Sequence, residues 1–508
     1  MPLRDNALHL RSLTDRRMET EFKLSCSPPT ATALVRHLTR LTGMRPQRLQ
    51  LKNTYYDTPQ QDLRSRGIAL RIRQQGSVLL QTVKCAGQVH GGLSKRPEWE
   101  TPYTGHLDFG AVDDTDVRTQ LECLARLPGY RATLRTDFSR NIWHWQPDAL
   151  TEIEIALDRG SISAGGREES ICELELELVK GSVEQLLDLV RRLGTLVPLF
   201  PAPLSKAARG SLLIDGRAKI SSQLLPSQAS NEAAFLSLAQ ECLDQVSMNL
   251  PANRGNFDAD NLHQIRVGLR RLRALLQLFR PGLYKSWRQT AEKGAKQHMR
   301  YIAAARSHHV LIETLLTPAR ASLTPVAGQR LQTRLESEAL AAFEQAREHL
   351  LSQDFADWLL QISLGLHAPL LQPKFGPRRW SKTAQSLLKP HLAAYAKAIK
   401  DTTSEPEELH ELRKHGKHLR YQILVTGAVN KPVLKHLARL QNTLGQLNDL
   451  YCAGEILEPL AQRSPALGAV IRQLGNVYLP QHEAWLATVP KQLTQLRSLL
   501  ATDRKGTK

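Results

Sequence analysis

The residues best suited to chemistry stand near the start of the chain, in the stretch Met18–Lys23, which reads METEFK. In an extended strand, side chains alternate between the two faces, so Glu19, Glu21 and Lys23 share one face. Two carboxylates and an ammonium are costly to bury unless something binds them. A divalent cation on the glutamates and a phosphate on the lysine would satisfy all three. The alternative is an exposed edge strand with one charged face.

Later segments of the N-terminal half repeat this separation of charge by face. Basic side chains alternate with apolar ones in residues 69–73, and acidic ones do so in 98–100, 152–157 and 172–179. Residues 78–84 also alternate, which places Leu80, Thr82 and Lys84 on one face. An ordinary surface strand mixes polar residue types, whereas each of these faces carries mainly one sign of charge. The pattern therefore predicts a sheet with one aliphatic and one charged face.

Two helices, predicted over residues 32–41 and 183–193, can cover the aliphatic faces of these strands. If the sheet closes on itself, the charged faces line a polar lumen. A lumen with about as many cations as anions suits a metal–polyphosphate complex, because phosphate oxygens bind Arg and Lys while the metal binds Glu. An open amphipathic sheet with one solvated charged face is the alternative.

The ordered set of motifs resembles the CYTH superfamily, also called triphosphate tunnel metalloenzymes. Its ExExK signature is matched by Glu19, Glu21 and Lys23. Its later motifs are resembled, in the right order, by Tyr55–Pro59, Leu70–Arg73, Thr82–Lys84, Glu152–Asp158 and the strand of Glu173, Glu175 and Glu177. The resemblance covers about residues 18–215. It implies an eight-stranded antiparallel barrel, open at both ends, that binds triphosphate. Family members hydrolyse inorganic triphosphate, thiamine triphosphate or RNA 5′-triphosphate ends, or cyclise ATP.

The resemblance also implies roles for the matched residues. The implied catalytic residues are Glu19, Glu21, Lys23 and Lys84. The implied ligands of phosphate oxygens are Lys23, Arg71, Arg73, Lys84 and Arg135, with Lys206 and Arg209 near a closing helix. The implied ligands of Mg²⁺ or Mn²⁺ are Glu19, Glu21, Glu173, Glu175 and Glu177. A second group either assists the metal or balances the cations: Glu98, Glu100, Glu152, Glu154 and Asp158. The general base is a Glu or a Lys, and the sequence does not choose between them.

Composition limits the remaining possibilities. The 508 residues carry a formal net charge of +19, most of it after residue 220, which favours a polyanionic partner such as nucleic acid, polyphosphate or an anionic membrane surface. Six separated cysteines without a CxxC pair disfavour a zinc module or a disulfide framework and fit a reducing compartment. No apolar run is long enough for a bilayer span, and residues 1–17 lack the apolar core of a secretory signal. We expect a cytoplasmic protein without a membrane partner, associated with polyphosphate granules.

The C-terminal half contains long helical patterns, and two of the helices carry a basic ridge led by a histidine. The first ridge consists of His263, Arg266, Arg270 and Arg273, and the second of His410, Arg413, Lys414, Lys417 and Arg420. The two histidines are 147 residues apart, which indicates a two-fold internal repeat. Like charges at this spacing repel, and an anion laid along the ridge would relieve the repulsion. A solvated basic face is the alternative.

These helices resemble the CHAD domain, a conserved-histidine helical module often found behind CYTH domains, over about residues 230–500. The resemblance implies two four-helix bundles with a basic groove that binds polyphosphate. The first repeat departs from the family pattern, because Ser307 and His308 follow Arg306 where an Arg-Asp pair is expected, whereas the second repeat keeps Asp449. The histidines are either phosphate donors or helix-packing groups. Nucleic acid is disfavoured as a partner because the ridge lacks interleaved aromatic side chains.

The sequence thus predicts an α+β multidomain protein, with a β tunnel barrel followed by a pair of all-α bundles. The predicted layout is a disordered leader (1–17), the CYTH domain (18–215), a linker (216–230), the CHAD domain (231–500, with repeats at about 231–365 and 380–500) and a tail (501–508). The predicted function is metal-dependent hydrolysis of inorganic triphosphate to diphosphate and phosphate, with polyphosphate bound by the helical half. A class IV-type adenylate cyclase and a non-catalytic polyphosphate-binding protein are the alternatives.

Overall fold

The computed structural model describes residues 17–126, 130–216, 228–255, 257–403, 405–427 and 431–503. Most of the predicted leader, linker and tail lies outside these residues. The chain forms two compact units. The first comprises residues up to 221 together with 251–256 and 359–367, and the second comprises 222–250, 257–358 and 368–508. Sequence reasoning assigned the two short segments of the first unit to the helical domain.

The first unit contains ten strands in one antiparallel sheet. They are β1 Arg17–Ser25, β2 Gln47–Asp57, β3 Ile68–Gln75, β4 Val78–Cys85, β5 Gln88–His90, β6 Leu93–Pro102, β7 Arg131–Asp148, β8 Thr151–Ala164, β9 Arg167–Lys180 and β10 Phe200–Pro201. The neighbours run in the order β1-β9-β8-β7-β2-β3-β4-β6, and β6 pairs again with β1. This last pairing closes an eight-stranded ring, so the predicted antiparallel barrel is confirmed.

The helices of the first unit are α1 Pro28–Thr42, α2 Asp62–Ser65, α3 Thr115–Arg126, α4 Val183–Gly194 and α5 Lys206–Asp215. The first four pack against the outer face of the barrel. Helices α1 and α4 cover the apolar residues of β1, β8 and β9, such as Phe22 and Leu176, which are fully buried. Ser182 starts α4 with a capping box to Gln185. The alternation predicted from sequence therefore holds, because the aliphatic faces point outward into this core and the charged faces point inward.

Helix α5 differs from the other helices because it packs against lumen-facing side chains at one end of the barrel. Ala207 and Leu213 of α5 pack with Leu134, Phe138 and Ile162, which lie on the inner face. Gly210 allows this approach, since a Cβ atom there would lie 2.7 Å from a methyl of Leu134. The resemblance implied a tunnel open at both ends, whereas here α5 fills the apolar end of the lumen.

The second unit is helical, as predicted. Its helices are α6 Asn231–Ser247, α7 Ala259–Leu278, α8 Lys285–Tyr301, α9 Ala303–Val310, α10 Thr317–Ala319, α11 Pro325–Leu350, α13 Trp380–Asp401, α14 Pro406–Thr426, α15 Lys431–Arg463 and α16 Pro465–Asp503, together with the first residues of α12 Gln353–Gly365, which belongs to the first unit from residue 359 on. Helices α15 and α16 contribute to two apolar clusters, one with α13 and α14 and one with α11. Among the helices in the described part of the chain, none combines the length and the hydropathy that a bilayer crossing needs.

Candidate active site and basic helical cluster

The lumen of the barrel brings together the charged side chains that alternate along its strands. Strand β1 supplies Glu19, Glu21 and Lys23, which lie between β6 and β9 in the closed ring. Glu19 lies opposite Arg96, and Lys23 lies opposite Glu175, so residues distant in sequence become direct neighbours. Glu21 and Lys23 are nearly inaccessible to solvent, with 3% and 6% exposure. The exposed-edge alternative for this strand is therefore wrong.

One part of the lumen wall is dominated by cations from β3, β4 and β6. The ammonium of Lys84 lies 2.9 Å from Glu19 and 2.8 Å from Glu98. The guanidinium of Arg96 donates to Glu19 at 2.9 Å and to Glu21 at 2.6 Å. Burial opposes the charge of Arg96, but Glu21 and Glu19 outweigh it and raise the pKa of Arg96. Arg96 therefore stays charged at neutral pH.

Arg71 and Arg73 extend this basic wall along β3. Arg71 is 3.6 Å from Glu98, and Arg73 is 3.9 Å from Glu100 and donates to Asn53 at 3.0 Å. The Nε atom of Arg71 is buried and has no hydrogen-bond partner among the described residues. Burial, followed by the charge of Arg71, lowers the pKa of Arg73 to about 10. Two adjacent buried guanidinium groups with an unused donor favour an anionic ligand.

A tight group of carboxylates lies deeper in the lumen, next to α5. Oxygen atoms of Asp158, Glu173 and Glu175 lie within 4.8 Å of one another. The ammonium of Lys206 bonds to all three, at 2.7 Å to Asp158 and 3.1 Å to Glu175, with a short contact to Glu173. Burial opposes the charge of Glu175, but Lys206 and the neighbouring cations hold the pKa of Glu175 well below its usual range. Asp158 belongs to this group, although the sequence analysis placed it among the residues that only assist the metal or balance the cations.

Two arginines complete the charge balance of this carboxylate group. Arg140 of β7 makes a two-pronged bond to Asp158, with both distances at 2.7 Å, and also contacts Glu175. Arg209 of α5 donates to Glu169 at 2.7 Å and to Glu173 at 3.2 Å. Lys206 and Arg209 thus lie on the acidic side of the lumen, although the sequence predicted them as phosphate ligands.

A second row of acidic residues crosses three strands at the level of the ExExK motif. Glu154 of β8 is opposite Glu177 of β9, and Glu177 is opposite Glu21 of β1. Directly opposed carboxylates repel, so such a row favours a bound cation. Lys23 joins this row to the deeper group, because its ammonium lies 3.3 Å from both Glu21 and Glu175. All five predicted metal ligands thus face the lumen, but they divide between two levels.

The prediction for Arg135 is wrong, because this side chain is exposed on the outside of β7. It has the opposite parity from Thr136, Phe138 and Arg140, which point inward. Arg140 is the lumenal arginine of this strand, and sequence reasoning missed it. Arg96 was also missed, although its even position, shared with Glu98 and Glu100 on the same strand, is a signal that could have found it.

The helical unit brings its two predicted basic ridges together. Helices α7 and α14 pack against each other, with Gln422 donating to the carbonyl of Ala274 at 3.2 Å. The pKa of Arg266 is lowered to about 9, mainly by burial and then by the charges of Arg270, Arg306 and Arg413. The Nη1 atom of Arg266 and the Nε atom of Arg413 are buried without a hydrogen-bond partner among the described residues. Arg306 of α9 is a further member of this cluster, which sequence reasoning quoted but did not assign.

Other ridge residues differ in their surroundings. Burial, then Arg413 and Arg270, lowers the pKa of Lys417 to about 7. Burial, followed by Arg306 and Arg270, lowers the pKa of His263 to about 4, so His263 is neutral at pH 7. The other histidine, His410, is hydrogen-bonded through Nδ1 to Asn448 at 2.6 Å.

Lys414 and Arg420 are exposed, and Lys414 pairs with Glu411 on its own helix at 2.7 Å. The sequence predicted Lys414 as a polyphosphate ligand, but its side chain lies outside the cluster that Arg413 joins, because it is about 100° around the helix from Arg413. Arg273 is half-buried, and Glu292 partly offsets the burial that lowers its pKa.

A closed antiparallel barrel with a charged lumen, followed by a helical unit with a basic cluster, defines the class of this protein. Residues 17–211 match the CYTH domain family, and residues 237–458 match the CHAD domain family. The chain thus contains a segment that matches the CYTH domain family, followed by a segment that matches the CHAD domain family.

Individual proteins are also similar to this chain. An inorganic triphosphatase of Haemophilus influenzae is 36% identical over 200 residues, which cover 38% of this chain and 54% of that protein. The chain thus matches about half the length of this curated relative. An uncharacterised protein of Mycobacterium tuberculosis is 26% identical over 475 residues, covering 86% of this chain and 87% of its own length. The crystal structure of a CHAD domain from Ricinus communis covers 55% of this chain and 96% of its own, with 23% identity and a TM-score of 0.44.

Proposed function

We propose that the barrel hydrolyses inorganic triphosphate to diphosphate and phosphate with the help of a divalent metal ion. The observation that carries this proposal is the closed lumen, in which buried cations of β3, β4 and β6 are opposed by a row of carboxylates. A metal–triphosphate complex needs both sets of groups. The similarity to an inorganic triphosphatase, 36% identical over 200 residues, supports the same activity.

The basic wall is suited to hold the phosphate chain. Lys84, Arg96 and Arg71 form ion pairs with Glu19, Glu21 and Glu98. When substrate enters, phosphate oxygens replace these carboxylates as partners of the cations, and the released carboxylates become available to the metal. Because this exchange keeps every buried charge paired, the binding of such a highly charged ligand avoids the free-energy cost of an unpaired buried charge.

The carboxylate row of Glu21, Glu177 and Glu154 is our choice for the metal, because Glu21 accepts from Arg96 of the basic wall, and a metal there would lie next to the phosphate chain. The deeper group of Asp158, Glu173 and Glu175 is bound by Lys206, Arg209, Arg140 and Lys23. Oxygen ligands of this kind suit Mg²⁺ and Mn²⁺. When bound, the metal would neutralise phosphate charge and hold the chain in line for attack.

The hydrolytic water needs a group that accepts its proton. Burial opposes the positive charge of Lys23, but the negative charges of Glu21 and Glu175 outweigh this effect and raise the pKa of Lys23 above its usual value. Lys23 therefore stays protonated and can donate hydrogen bonds to phosphate oxygens. Of the two residue types that the sequence left open, we therefore propose a glutamate of the lumen as the general base.

The helical unit is suited to bind inorganic polyphosphate. Its cluster of Arg266, Arg270, Arg306, Arg413 and Lys417 contains two buried guanidinium nitrogens without hydrogen-bond partners among the described residues. Burial, followed by repulsion from neighbouring cations, lowers the pKa values of Arg266 and Lys417. A polyanion would supply acceptors and remove the repulsion. Tethering to the barrel raises the effective concentration of the bound chain near the enzyme. Such a protein would work in the cytoplasm, at polyphosphate granules.

The test is a substrate panel with the full-length protein. Inorganic triphosphate, thiamine triphosphate, ATP and long polyphosphate are each incubated with Mg²⁺ or Mn²⁺, and phosphate and cyclic AMP are measured. The proposal predicts the highest kcat/KM for inorganic triphosphate. Formation of cyclic AMP from ATP would establish a cyclase instead, and absence of turnover with every substrate and metal would indicate a binding protein.

A further inference from the structure

Two cysteines on neighbouring strands of the barrel lie in contact on its outer face. The sulfur atoms of Cys26 and Cys172 are 3.7 Å apart, and the backbone N–H of Cys26 donates to the carbonyl of Cys172 at 3.1 Å. All six cysteines of the chain fall within the described residues and all are reduced. Within that part of the chain, this is the pair of cysteines whose sulfurs touch.

The backbone positions fit a disulfide. Ser25 of β1 is paired with Glu173 of β9, so Cys26 and Cys172 occupy the next opposed position of the two antiparallel strands. Directly opposed residues of an antiparallel pair have Cα atoms about 4.5 to 5.5 Å apart, within the range that disulfides span. The sulfurs need to approach by less than 2 Å beyond their present contact, about what a side-chain rotation provides, and the strands can stay in place.

The two thiols differ in access to solvent, which gives each a separate part in the reaction. Cys26 is buried, with 2% exposure, among the side chains under α1 and α4. Cys172 is half-buried and therefore reachable by a small oxidant. Its position on the outer face of β9 separates it from the lumen, because the alternating neighbours Ile171 and Glu173 point inward.

We propose that Cys26 and Cys172 are a reversible oxidative modification site, which forms an intramolecular disulfide with peroxide. Cys172 attacks one peroxide oxygen, the O–O bond breaks, and a sulfenic acid and one water form. The Cys26 sulfur then attacks the Cys172 sulfur, the S–O bond breaks, and hydroxide leaves with the proton of Cys26 as a second water. Two thiols thus lose two electrons to one peroxide. The bond ties β1 to β9, the strands that carry Glu21, Lys23, Glu173 and Glu175.

The experiment maps the bond directly in the full-length protein. Reduced protein is treated with hydrogen peroxide, the remaining thiols are blocked with N-ethylmaleimide, and the protein is digested with trypsin without reductant. We expect a linked pair of peptides, residues 24–36 with 168–180, whose mass is two hydrogens below the sum of the two. Two of the six thiols should be lost, and dithiothreitol should restore both. The thermal unfolding midpoint should rise on oxidation.

Variants separate this pair from general thiol oxidation. Cys172→Ser and Cys26→Ser should each abolish the linked peptide, and in Cys26→Ser the sulfenic acid of Cys172 should be trapped by dimedone. Cys85→Ser is the matched control, because Cys85 is another half-buried thiol of the barrel, and it should leave the linkage unchanged. Alkylation of both thiols after peroxide, or sulfinic acid at Cys172 without linkage in the wild-type protein, would overturn the proposal. Because the readout is a covalent bond, it is independent of triphosphatase activity.

Discussion

The ammonium of Lys23 lies 3.3 Å from a carboxylate oxygen of Glu175, directly across the paired strands β1 and β9. Lys23 bonds to Glu21 at the same distance, so one buried cation links the two acidic levels of the lumen. The ExExK motif therefore has a structural role besides its proposed part in binding phosphate. Removing the cation leaves two buried carboxylates without this partner.

Lys23→Met should destabilise the barrel by about 3 kcal/mol, because breaking a buried ion pair from one side has such a cost. Lys52→Met is the control, since Lys52 is exposed and pairs with exposed Asp137, and it should change stability by less than about 1 kcal/mol. The difference in the free energy of unfolding is measured by denaturant titration of both variants, with fluorescence as the signal. Equal stability of the two variants would contradict the role of Lys23.

Arg140→Met should lower both stability and triphosphatase activity, whereas Arg135→Met should change neither. Arg140 holds Asp158 and Glu175 inside the lumen, while Arg135 is exposed on the same strand. The expected loss of stability for Arg140→Met is about 3 kcal/mol. Thermal unfolding and steady-state kinetics of both variants provide the measurement, and a larger loss of activity in Arg135→Met would restore the prediction from sequence.

The acid stability of the barrel should depend on Glu175. Cations around Glu175 outweigh its burial and keep its pKa well below the ordinary value of 4.5. A depressed carboxyl pKa stabilises the folded state above the unfolded pKa, and this stabilisation is lost as the pH falls below about 4.5. Glu175→Gln should therefore unfold at a lower temperature than wild type at pH 7, and the difference should shrink between pH 4.5 and pH 3. If the difference in unfolding temperature grows between pH 4.5 and pH 3, the proposed role of Glu175 is contradicted.

Polyphosphate binding should strengthen as the pH falls through about 7. The pKa of free Lys417 is lowered to about 7 by burial and by Arg413, Arg270 and Arg266, with Asp449 opposing them. Above pH 7 the lysine must take up a proton to bind an anion, so affinity should fall by up to about tenfold per pH unit. Calorimetric titration of the full-length protein with polyphosphate between pH 6 and 9 measures this dependence.

Two variants isolate the contribution of Lys417 from the titration of the phosphates themselves. Lys417→Met should bind more weakly at pH 6 and should lose most of the pH dependence. Lys414→Met is the matched control, because Lys414 is exposed and paired with Glu411, and it should retain the wild-type profile. Identical profiles for both variants would remove Lys417 from the proposed site.

Local patterns in the sequence predicted the strands and the faces of the barrel, because alternation determines which side of a strand is buried. The inward direction of Glu19, Arg71, Lys84 and Glu175 follows from that alternation. Arg135 was predicted as a phosphate ligand from the order of the family motifs, although the alternation of side chains along β7 places Arg140 on the lumenal face instead. The insertion of α5 depends on packing of Gly210 against Leu134, a contact between distant residues that no local pattern records.

The division of the acids into two levels was likewise beyond the sequence, because it depends on strand register. Asp158 joins Glu173 only through the pairing of β8 with β9. The basic cluster shows the same limit, since periodicity predicted the ridges of α7 and α14 separately. Their convergence, and the addition of Arg306 from α9, follow from helix packing within the second unit.

The central claim is that the lumen hydrolyses triphosphate through its acidic row, and Glu21→Gln tests it most directly. Phosphate release from inorganic triphosphate is measured with Mg²⁺ and Mn²⁺ for wild type, Glu21→Gln and the control Glu168→Gln, whose side chain is exposed on β9. We predict a loss of kcat/KM of at least about 100-fold in Glu21→Gln, with circular dichroism unchanged and Glu168→Gln fully active. Wild-type activity in a folded Glu21→Gln protein would contradict the account.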